Sequence, residues 1–446
     1  MASPTTRRDF LKTTAAASAG FWVAGQDDIS AQQQPPVQAA AGERVNVAAI
    51  GAGGRGADDI RGVLATGQAN LVALCDVDDA RAAPTYRQHP SVPRWYDFRA
   101  MLERQRDIDA VIVATPDHMH CHAAVMAMRL GKHVYCEKPL THDIWEARKM
   151  KEVAQTARVA TQMGNQGTAG NDFRRAVEVV QSGALGDVRE VHIWTNRPIW
   201  PQNINRPTGT PEVPTTLDWD RWLGPAPQRP YNAAYLPFNW RGWWDFGTGA
   251  IGDMACHTMN LPFMALKLGY PTSVVAELTT PLNSETAPEG AKVTYEFPQR
   301  GNLPALTLYW YERRRPPEAL LMGQRFTNSG SIMVGSAGSM LTTDDYGARN
   351  TLLPVNQFQG FQNPQPTLPR SPGHYREWID AIRGGRPAMS NFVDYAALLA
   401  EVALLGNLAM RMNGQRVVWN AETMTAVDLP AANPFIHREY RRGWDL

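Results

Sequence analysis

The sequence predicts an α/β chain whose N-terminal half is a parallel sheet built around a glycine-rich turn. Three observations carry that expectation. Val45–Ile50 is a short apolar run that stops at Gly51-Ala52-Gly53-Gly54-Arg55-Gly56. Residues 57–66 follow with helical spacing, placing Ile60, Val63 and Leu64 on one side. Two further apolar runs, at 71–75 and 111–114, read as strands buried on both faces. With 446 residues, the chain has room for a leader and two domains.

The first element in chain order is the leader. Thr6-Arg7-Arg8-Asp9-Phe10-Leu11-Lys12 reads as a twin-arginine export motif, and the Ala- and Gly-rich run 13–25 is too short to span a bilayer and reads as a signal-peptide core. Residues 26–43 are polar, contain proline and read as a linker, with cleavage expected near Ala31 or in Ala39–Ala41. The expectation is therefore a signal and linker over 1–43, recognition by the twin-arginine machinery, and a periplasmic or otherwise exported protein. After the leader, no uninterrupted apolar run of spanning length stands out.

Lys plus Arg total 44 and Asp plus Glu total 43, so no basic stripe points to nucleic acid. The 43% hydrophobic content supports a large core. Cys75, Cys121, Cys136 and Cys256 form no Cys-x-x-Cys pair, which argues against a zinc ribbon. They are expected to be buried and reduced.

In the glycine turn, Gly51 allows the tight bend, Gly53 lets backbone approach a pyrophosphate, and Gly56 lets helix and strand pack closely. The helix N-terminus offers free amides to phosphate. The next strand, 71–75, ends at Asp76, twenty residues after Gly56 and well placed for ribose hydroxyls. A carboxylate there repels a 2′-phosphate, which favours NAD over NADP. The third strand leads into Thr115-Pro116-Asp117-His118-Met119-His120-Cys121-His122. His118 and His122 have the spacing of two ligands on one helical face, but no glutamate lies between them, so a cofactor-facing turn is preferred and no metal is expected. A short strand over 131–136 then enters Glu137-Lys138-Pro139.

Here the chain resembles the Gfo/Idh/MocA family, named for glucose–fructose oxidoreductase, inositol dehydrogenase and a rhizopine-catabolism protein. The matching features are Gly51-x-Gly53-x-x-Gly56, Asp76, Thr115-Pro116-x-His118-x-His120, Glu137-Lys138-Pro139, Gly164-Asn165-Gln166 and Gly249-Ala250-x-Gly252-Asp253-x-x-x-His257. Arg442-Gly443-Trp444 resembles the exported branch. The resemblance implies a Rossmann NAD-binding domain over 44–165 and an α+β substrate and oligomerisation domain with an open, mostly antiparallel sheet over 166–446. It also implies cofactor contacts from Gly51, Gly53, Arg55, Gly56, Asp76, Thr115, Pro116, His118, His120, Glu137, Lys138 and Gln166. Strands are expected at 190–195, 273–279, 292–297, 306–311 and 331–335, and helices at 374–383 and 395–411.

Oxidising a carbinol needs a base for the hydroxyl proton and charge for the developing alkoxide. By resemblance, His257 is the acid/base and Lys138 favours the anionic oxygen. Asp253, one helical turn before His257, orients the imidazole or binds a substrate hydroxyl. The Lys138–Pro139 peptide is a candidate for the cis form. Asn260 stands where the family often carries Asp. The long segment 196–245 holds Trp200, Trp219, Trp222, Trp240, Trp243 and Trp244, which could wall a sugar site or staple the loop. Arg197, Arg241, Trp243, Trp244 and Asn260 are the candidate substrate contacts.

The expected function is an exported NAD(P)-dependent oxidoreductase of a sugar, glycoside or cyclitol, with its cofactor retained. A redox-neutral NAD-dependent glycoside hydrolase and a non-catalytic carbohydrate-binding protein are the alternatives. An open sheet face favours a homo-dimer or homo-tetramer.

Overall fold

A computed structural model describes residues 44–446; the leader and linker expected over 1–43 lie outside the described residues. The N-terminal layer holds β1 (Val45–Ile50), α1 (Arg55–Leu64), β2 (Ala69–Cys75), α2 (Asp79–Gln88), β3 (Arg94–Trp95), α3 (Phe98–Arg104), β4 (Ala110–Val113), α4 (Asp117–Arg129), β5 (His133–Cys136), α5 (Ile144–Ala157) and β6 (Thr161–Met163). Its six strands are all parallel, in the order β3-β2-β1-β4-β5-β6. Every residue of β4 is buried, because helices cover both faces of the sheet. The strand order reverses between β1 and β4, and the loops leaving these two strands part there to open a crevice.

The helix expected over 57–66 starts two residues early. Gly56 and Ala57 donate to the carbonyls of Gly53 and Gly54, each at 3.1 Å, so the glycine turn itself becomes the first helical turn. Gly51 has φ +85°, and a Cβ there would fall 2.5 Å from the Ala114 carbonyl oxygen. A Cβ on Gly56 would fall 1.8 Å from the Gly51 oxygen. Both positions therefore exclude a side chain.

The second layer is built from α6 (Asn171–Gln181), β7 (Val188–Thr195), α7 (Trp219–Leu223), α8 (Gly249–Thr258), α9 (Asn260–Ala265), β8 (Ser273–Leu278), β9 (Ala291–Phe297), β10 (Leu306–Glu312), β11 (Ser329–Gly335), β12 (Ser339–Thr342), β13 (Asn350–Leu353), α10 (His374–Ile382), α11 (Ala397–Arg411), β14 (Val417–Asn420), β15 (Thr425–Ala426) and α12 (Asn433–Ile436). The sheet runs β13-β12-β11-β7-β10-β9-β8-β14-β15. It is antiparallel except for the central β7–β10 pair. The strands expected in this half correspond to β7 to β11. The missed strands β12 to β15 span two to four residues each, too short for alternation to register.

Helix α10 departs from its own half of the chain. Its Trp378 and Ile379 enter the core of the first sheet beside Val47, Ile60 and Tyr135. Phe392–Arg411, comprising one wide turn and α11, has the length and apolarity of a membrane span by composition, although Asp394 and Glu401 interrupt its apolar run. In this structure it is a core helix, 72% buried over its most apolar window. The four cysteines are buried and unpaired.

Candidate active site

A cavity of about 280 Å³ follows the crevice. It begins at Gly51, Gly53 and Asp76 and ends at Lys138, Trp240 and Arg241. Its floor comes from the ends of β1, β2, β4 and β5. Its roof comes from the long segment before α8 and from Trp444.

At the turn end, Asp76 Oδ2 accepts the amides of Ala52 (2.8 Å) and Gly53 (3.2 Å), and Oδ1 accepts that of Asp78 (3.0 Å). Burial raises the pKa of this carboxyl, and the three amide bonds partly offset that rise. Arg81, which the sequence reading missed, lies across the turn: a Cβ on Gly53 would fall 2.6 Å from its Cγ, and one on Gly54 2.4 Å from its Nη2. The space over Gly53 expected to take pyrophosphate is therefore bounded by an arginine side chain. Farther along, Thr115 and Pro116 line the cavity, and Thr115 Oγ1 is buried with no hydrogen-bond partner among the described residues. The bare glycine turn, the helix start behind it, the carboxylate at the end of β2 and this orphaned hydroxyl fit a nicotinamide dinucleotide.

Beneath the middle of the cavity lies a buried charge network. Arg55 Nε donates to Glu137 Oε1 (3.1 Å), and Arg55 Nη2 pairs with Asp59 (2.9 Å). Tyr135 and Gln166 also donate to Glu137 Oε1, each at 3.1 Å. Burial alone would weaken the Arg55 cation, but Glu137 and Asp59 more than compensate and hold it charged. Arg55 and Glu137 reach the cavity wall; Gln166 stands behind Glu137. Glu137 also accepts the Lys138 amide at 3.2 Å, which ties the network to the next residue.

At the far end, the Lys138–Pro139 peptide is cis, as the sequence suggested. Lys138 Nζ donates to Asp253 Oδ1 at 2.7 Å and to the Asp253 backbone carbonyl at 3.0 Å. Arg241 Nε reaches the same Oδ1 at 3.3 Å, with its guanidinium over the rings of Trp240 and Phe238. Burial opposes ionisation of Asp253, but Lys138 and Arg241 outweigh it and hold the carboxyl well below the usual range. Asp253 therefore orients the ammonium: both cations converge on its Oδ1, and among the described residues it makes no hydrogen bond to His257. His257 lies on the same helix, its Nδ1 buried without a partner among the described residues and its ring edge-on to Tyr346 at 5.1 Å. Burial, followed by the Lys138 charge, pushes its pKa well below the ordinary histidine value, so the ring is neutral.

Two further contacts place these groups. Asp117 Oδ2, at the start of α4, accepts the amide and the hydroxyl of Thr248, at 3.1 and 2.7 Å, and so pins the N-terminus of α8. The 343–349 loop folds onto Asp344, whose oxygens accept the amides of Tyr346, Ala348 and Arg349. That loop, at the β12–β13 edge of the second sheet, carries Tyr346 to His257. No periodicity in the sequence marks it, since the contact comes from a hairpin connection between two short strands.

Several expected contacts fall elsewhere. His118 is wholly buried behind the cavity wall, its ring nitrogens facing the carbonyls of Phe246 (3.2 Å) and Trp222 (3.0 Å). His120 bridges the carbonyls of Pro139 and Thr115, each at 2.8 Å, and so braces the Lys138 turn instead of touching a cofactor. Gly56 lies behind the turn, against Gly51. Asn260 is buried and locked between Thr168 (2.8 Å) and Tyr395 (2.6 Å), and it does not line the cavity. Trp243 is buried in a small core with Trp219, Tyr235 and Phe246. Trp244 faces a different cavity. The tryptophans thus mainly staple the long segment, while Trp222 and Trp240 also line the cofactor cavity. Among the described residues Arg197 has no ion pair to a carboxylate, but it bears electrostatically on Asp253, His257 and Asp345. Among the described residues, no group of three or more His, Cys, Asp or Glu is arranged to hold a metal.

Comparison with known proteins agrees with this geometry. Residues 45–165 match the oxidoreductase family, NAD-binding Rossmann fold, of the Gfo/Idh/MocA group, and residues 170–293 match an oxidoreductase-family C-terminal alpha/beta domain of the same group. A glycosyl hydrolase family 109 protein of Saccharopolyspora erythraea is 34% identical over 209 residues, covering 42% of this chain and 44% of that protein. An inositol 2-dehydrogenase of Rhizobium meliloti is 28% identical, covering 38% of this chain and 52% of the relative. The matched stretch thus spans about half or less of these relatives. The WlbA dehydrogenase from Bordetella pertussis, solved with NADH and UDP-GlcNAcA, superposes with a TM-score of 0.60 at 16% identity, covering 84% of this chain and 98% of that one.

Proposed function

This chain belongs to the Gfo/Idh/MocA oxidoreductase family, and we propose that it is an exported enzyme that moves hydride to or from a carbinol carbon of a sugar, glycoside or cyclitol while keeping its NAD. The observation that carries the reading is the one cavity joining the glycine turn and Asp76 to Lys138, with Asp253 and His257 behind its far end. Bound there, the nicotinamide supplies the hydride acceptor or donor. Lys138, fixed by Asp253, stabilises negative charge on the reacting oxygen. Neutral His257 takes the hydroxyl proton at an imidazole nitrogen and returns it on reversal. A pure carbohydrate binder has no use for an ammonium whose charge bears on a neutral imidazole.

Retention of the cofactor is supported by the roof of the cavity. The long segment is stitched beside Asp76 by Asp79 N to Thr216 O and Asp218 N to Val77 O, each 2.8 Å. Arg441 ties the tail to this segment at Asp220 (2.5 Å) and Gly224 (2.9 Å), and Trp444 closes the wall with Arg99 stacked over its ring at 4.4 Å. Export is supported by Arg7-Arg8 and Phe10-Leu11-Lys12. An exported enzyme is not expected to meet a free nicotinamide pool, so its cofactor must be recycled in place. A second carbonyl substrate achieves this, as does a redox-neutral cycle that oxidises a glycoside, eliminates its aglycone, adds water and reduces the sugar again. The family 109 glycosyl hydrolase relative favours keeping the hydrolytic reading second. The half-exposed outer positions of the second sheet, Val275 and Tyr309 among them, support a homo-dimer or homo-tetramer.

The experiment is to denature the mature protein and identify the released nucleotide by mass spectrometry. Near one NAD(H) per chain is expected, followed by turnover only with pairs of sugars or with glycosides. A chain that carries no nucleotide and turns over with added NAD alone would end the retention reading.

A further inference from the structure

A second cavity, of about 530 Å³, lies on the other side of the start of α8, walled by α11 and the C-terminal segment. It shares none of its lining with the cofactor cavity. Arg411, the last residue of α11, lines it with its guanidinium carbon 4.1 Å from the Phe435 ring centroid and 4.7 Å from that of Trp244. Among the described residues, none accepts a hydrogen bond from Arg411 or forms an ion pair with it. The carboxylates that bear on it are already engaged: Asp245 with Arg229, and Asp143 with Arg438 and His142. Burial accordingly lowers its pKa to about 10.

Asn407 is the second observation. It stands four residues before Arg411, so the two share one face of α11 a turn apart. Its Nδ2 donates to the Thr248 carbonyl at 2.8 Å, while its Oδ1 is buried with no partner among the described residues. The cavity wall therefore presents an unpaired planar cation flanked by two aromatic rings, and one turn away a hydrogen-bond acceptor in want of a donor.

We propose that this cavity is a second ligand site, separate from the cofactor cavity, and that it takes a carboxylate-bearing polyol such as an aldonic or uronic acid. The carboxylate meets the guanidinium edge, whose forked N–H groups match two coplanar oxygens. A hydroxyl of the same ligand donates to Asn407 Oδ1. Phe435 and Trp244 offer apolar faces to the carbon chain. The volume suits a six-carbon ligand. A neutral polyol leaves Arg411 unpaired, and an anion without a hydroxyl donor leaves Asn407 unpaired, so the two groups together favour a bifunctional molecule.

The test is calorimetric titration of the full protein, carrying whatever nucleotide it retains, with sodium D-gluconate, D-glucitol and inorganic phosphate. Gluconate is expected to bind wild type and Lys138→Ala with the same Kd within twofold, and at least tenfold more weakly to Arg411→Met, while glucitol gives no comparable heat. Asn407→Asp, which sets a like charge beside the carboxylate and leaves Arg411 in place, is expected to weaken gluconate similarly; it decides the matter if Arg411→Met fails to fold. Any of four results overturns the proposal. These are no gluconate binding at millimolar concentration, an affinity untouched by both variants, loss of binding in Lys138→Ala, or phosphate binding more tightly than gluconate at the same place.

Discussion

Lys138 is held by Asp253 at two points, the carboxylate Oδ1 at 2.7 Å and the backbone carbonyl at 3.0 Å. The ammonium can therefore neither rotate away nor lose its counter-charge without disturbing α8. Asp253→Asn keeps a side chain that accepts from Lys138 but removes the charge that fixes it. Turnover is expected to fall about 100-fold, the scale seen when one pre-organised electrostatic contact is lost, with NAD affinity within about threefold of wild type. Lys138→Ala is expected to retain sugar binding and lose sugar-dependent reduction of the bound nucleotide. Equal loss of nucleotide and turnover in Asp253→Asn would make the pair structural.

His257 titrates out of its usual range for a stated reason: burial first, then the charge of Lys138. Both disfavour the imidazolium, so the neutral base persists as pH falls below the ordinary value of 6.5. The acidic limb of kcat/KM is expected below that pH. Tyr346→Ala uncovers the ring, weakens the burial contribution and should move the limb upward. His257→Ala should lower kcat by at least about 100-fold, the lower end of general-base effects, while NAD affinity changes little. A limb already at or above 6.5 in wild type contradicts the geometry.

Much of the first sheet was legible because its strands are continuous apolar runs and its turn is pinned by glycines that exclude side chains. Lys138, Asp253 and His257 were also legible, since one motif and one helical turn bring them together. Their pairing was not. Helical spacing placed Asp253 beside His257, whereas the cations of Lys138 and Arg241 claim its carboxylate from other elements. His118 and His120 looked like cofactor contacts because they follow a strand end, yet burial turned both rings onto backbone carbonyls. Arg81 and Tyr346 carried no signal: Arg81 lies in the first turn of α2 and folds back over the glycine turn, and Tyr346 reaches the site through the loop between β12 and β13.

Asp76 and Arg81 oppose each other at the adenosine end. The carboxylate disfavours a 2′-phosphate, while the guanidinium lying across Gly53 and Gly54 would welcome one. If Asp76 meets the ribose hydroxyls, NAD preference rests on it against the pull of Arg81. Asp76→Ala is expected to weaken NAD and raise the NADP-to-NAD affinity ratio at least about tenfold, a differential worth about 1.4 kcal/mol. Adding Arg81→Ala should return the ratio most of the way. Fluorescence titration of both nucleotides against stripped protein measures it. An unchanged ratio in Asp76→Ala removes that residue from the ribose site.

Trp444 and Arg441 lie near the end of the chain, yet they wall and brace a cavity formed mainly by its first third. The His122 ring nitrogen Nε2 lies 2.8 Å from the Trp444 carbonyl, and Arg441 joins the tail to Asp220 on α7. If the cofactor is retained because this roof cannot open, loosening the tail should release it without altering the chemistry at Lys138. Trp444→Ala and Arg441→Ala are expected to lower the nucleotide that co-purifies with the chain and to speed its release at least about tenfold. Each variant should recover turnover when NAD is supplied, since no catalytic group has moved. Dilution of nucleotide-loaded protein, followed by cofactor fluorescence, separates the possibilities. Fast release with restored turnover identifies the tail as the clasp. Release as slow as wild type would mean that contacts within the cavity, and not its roof, hold the dinucleotide, and the strap would then be a structural brace only.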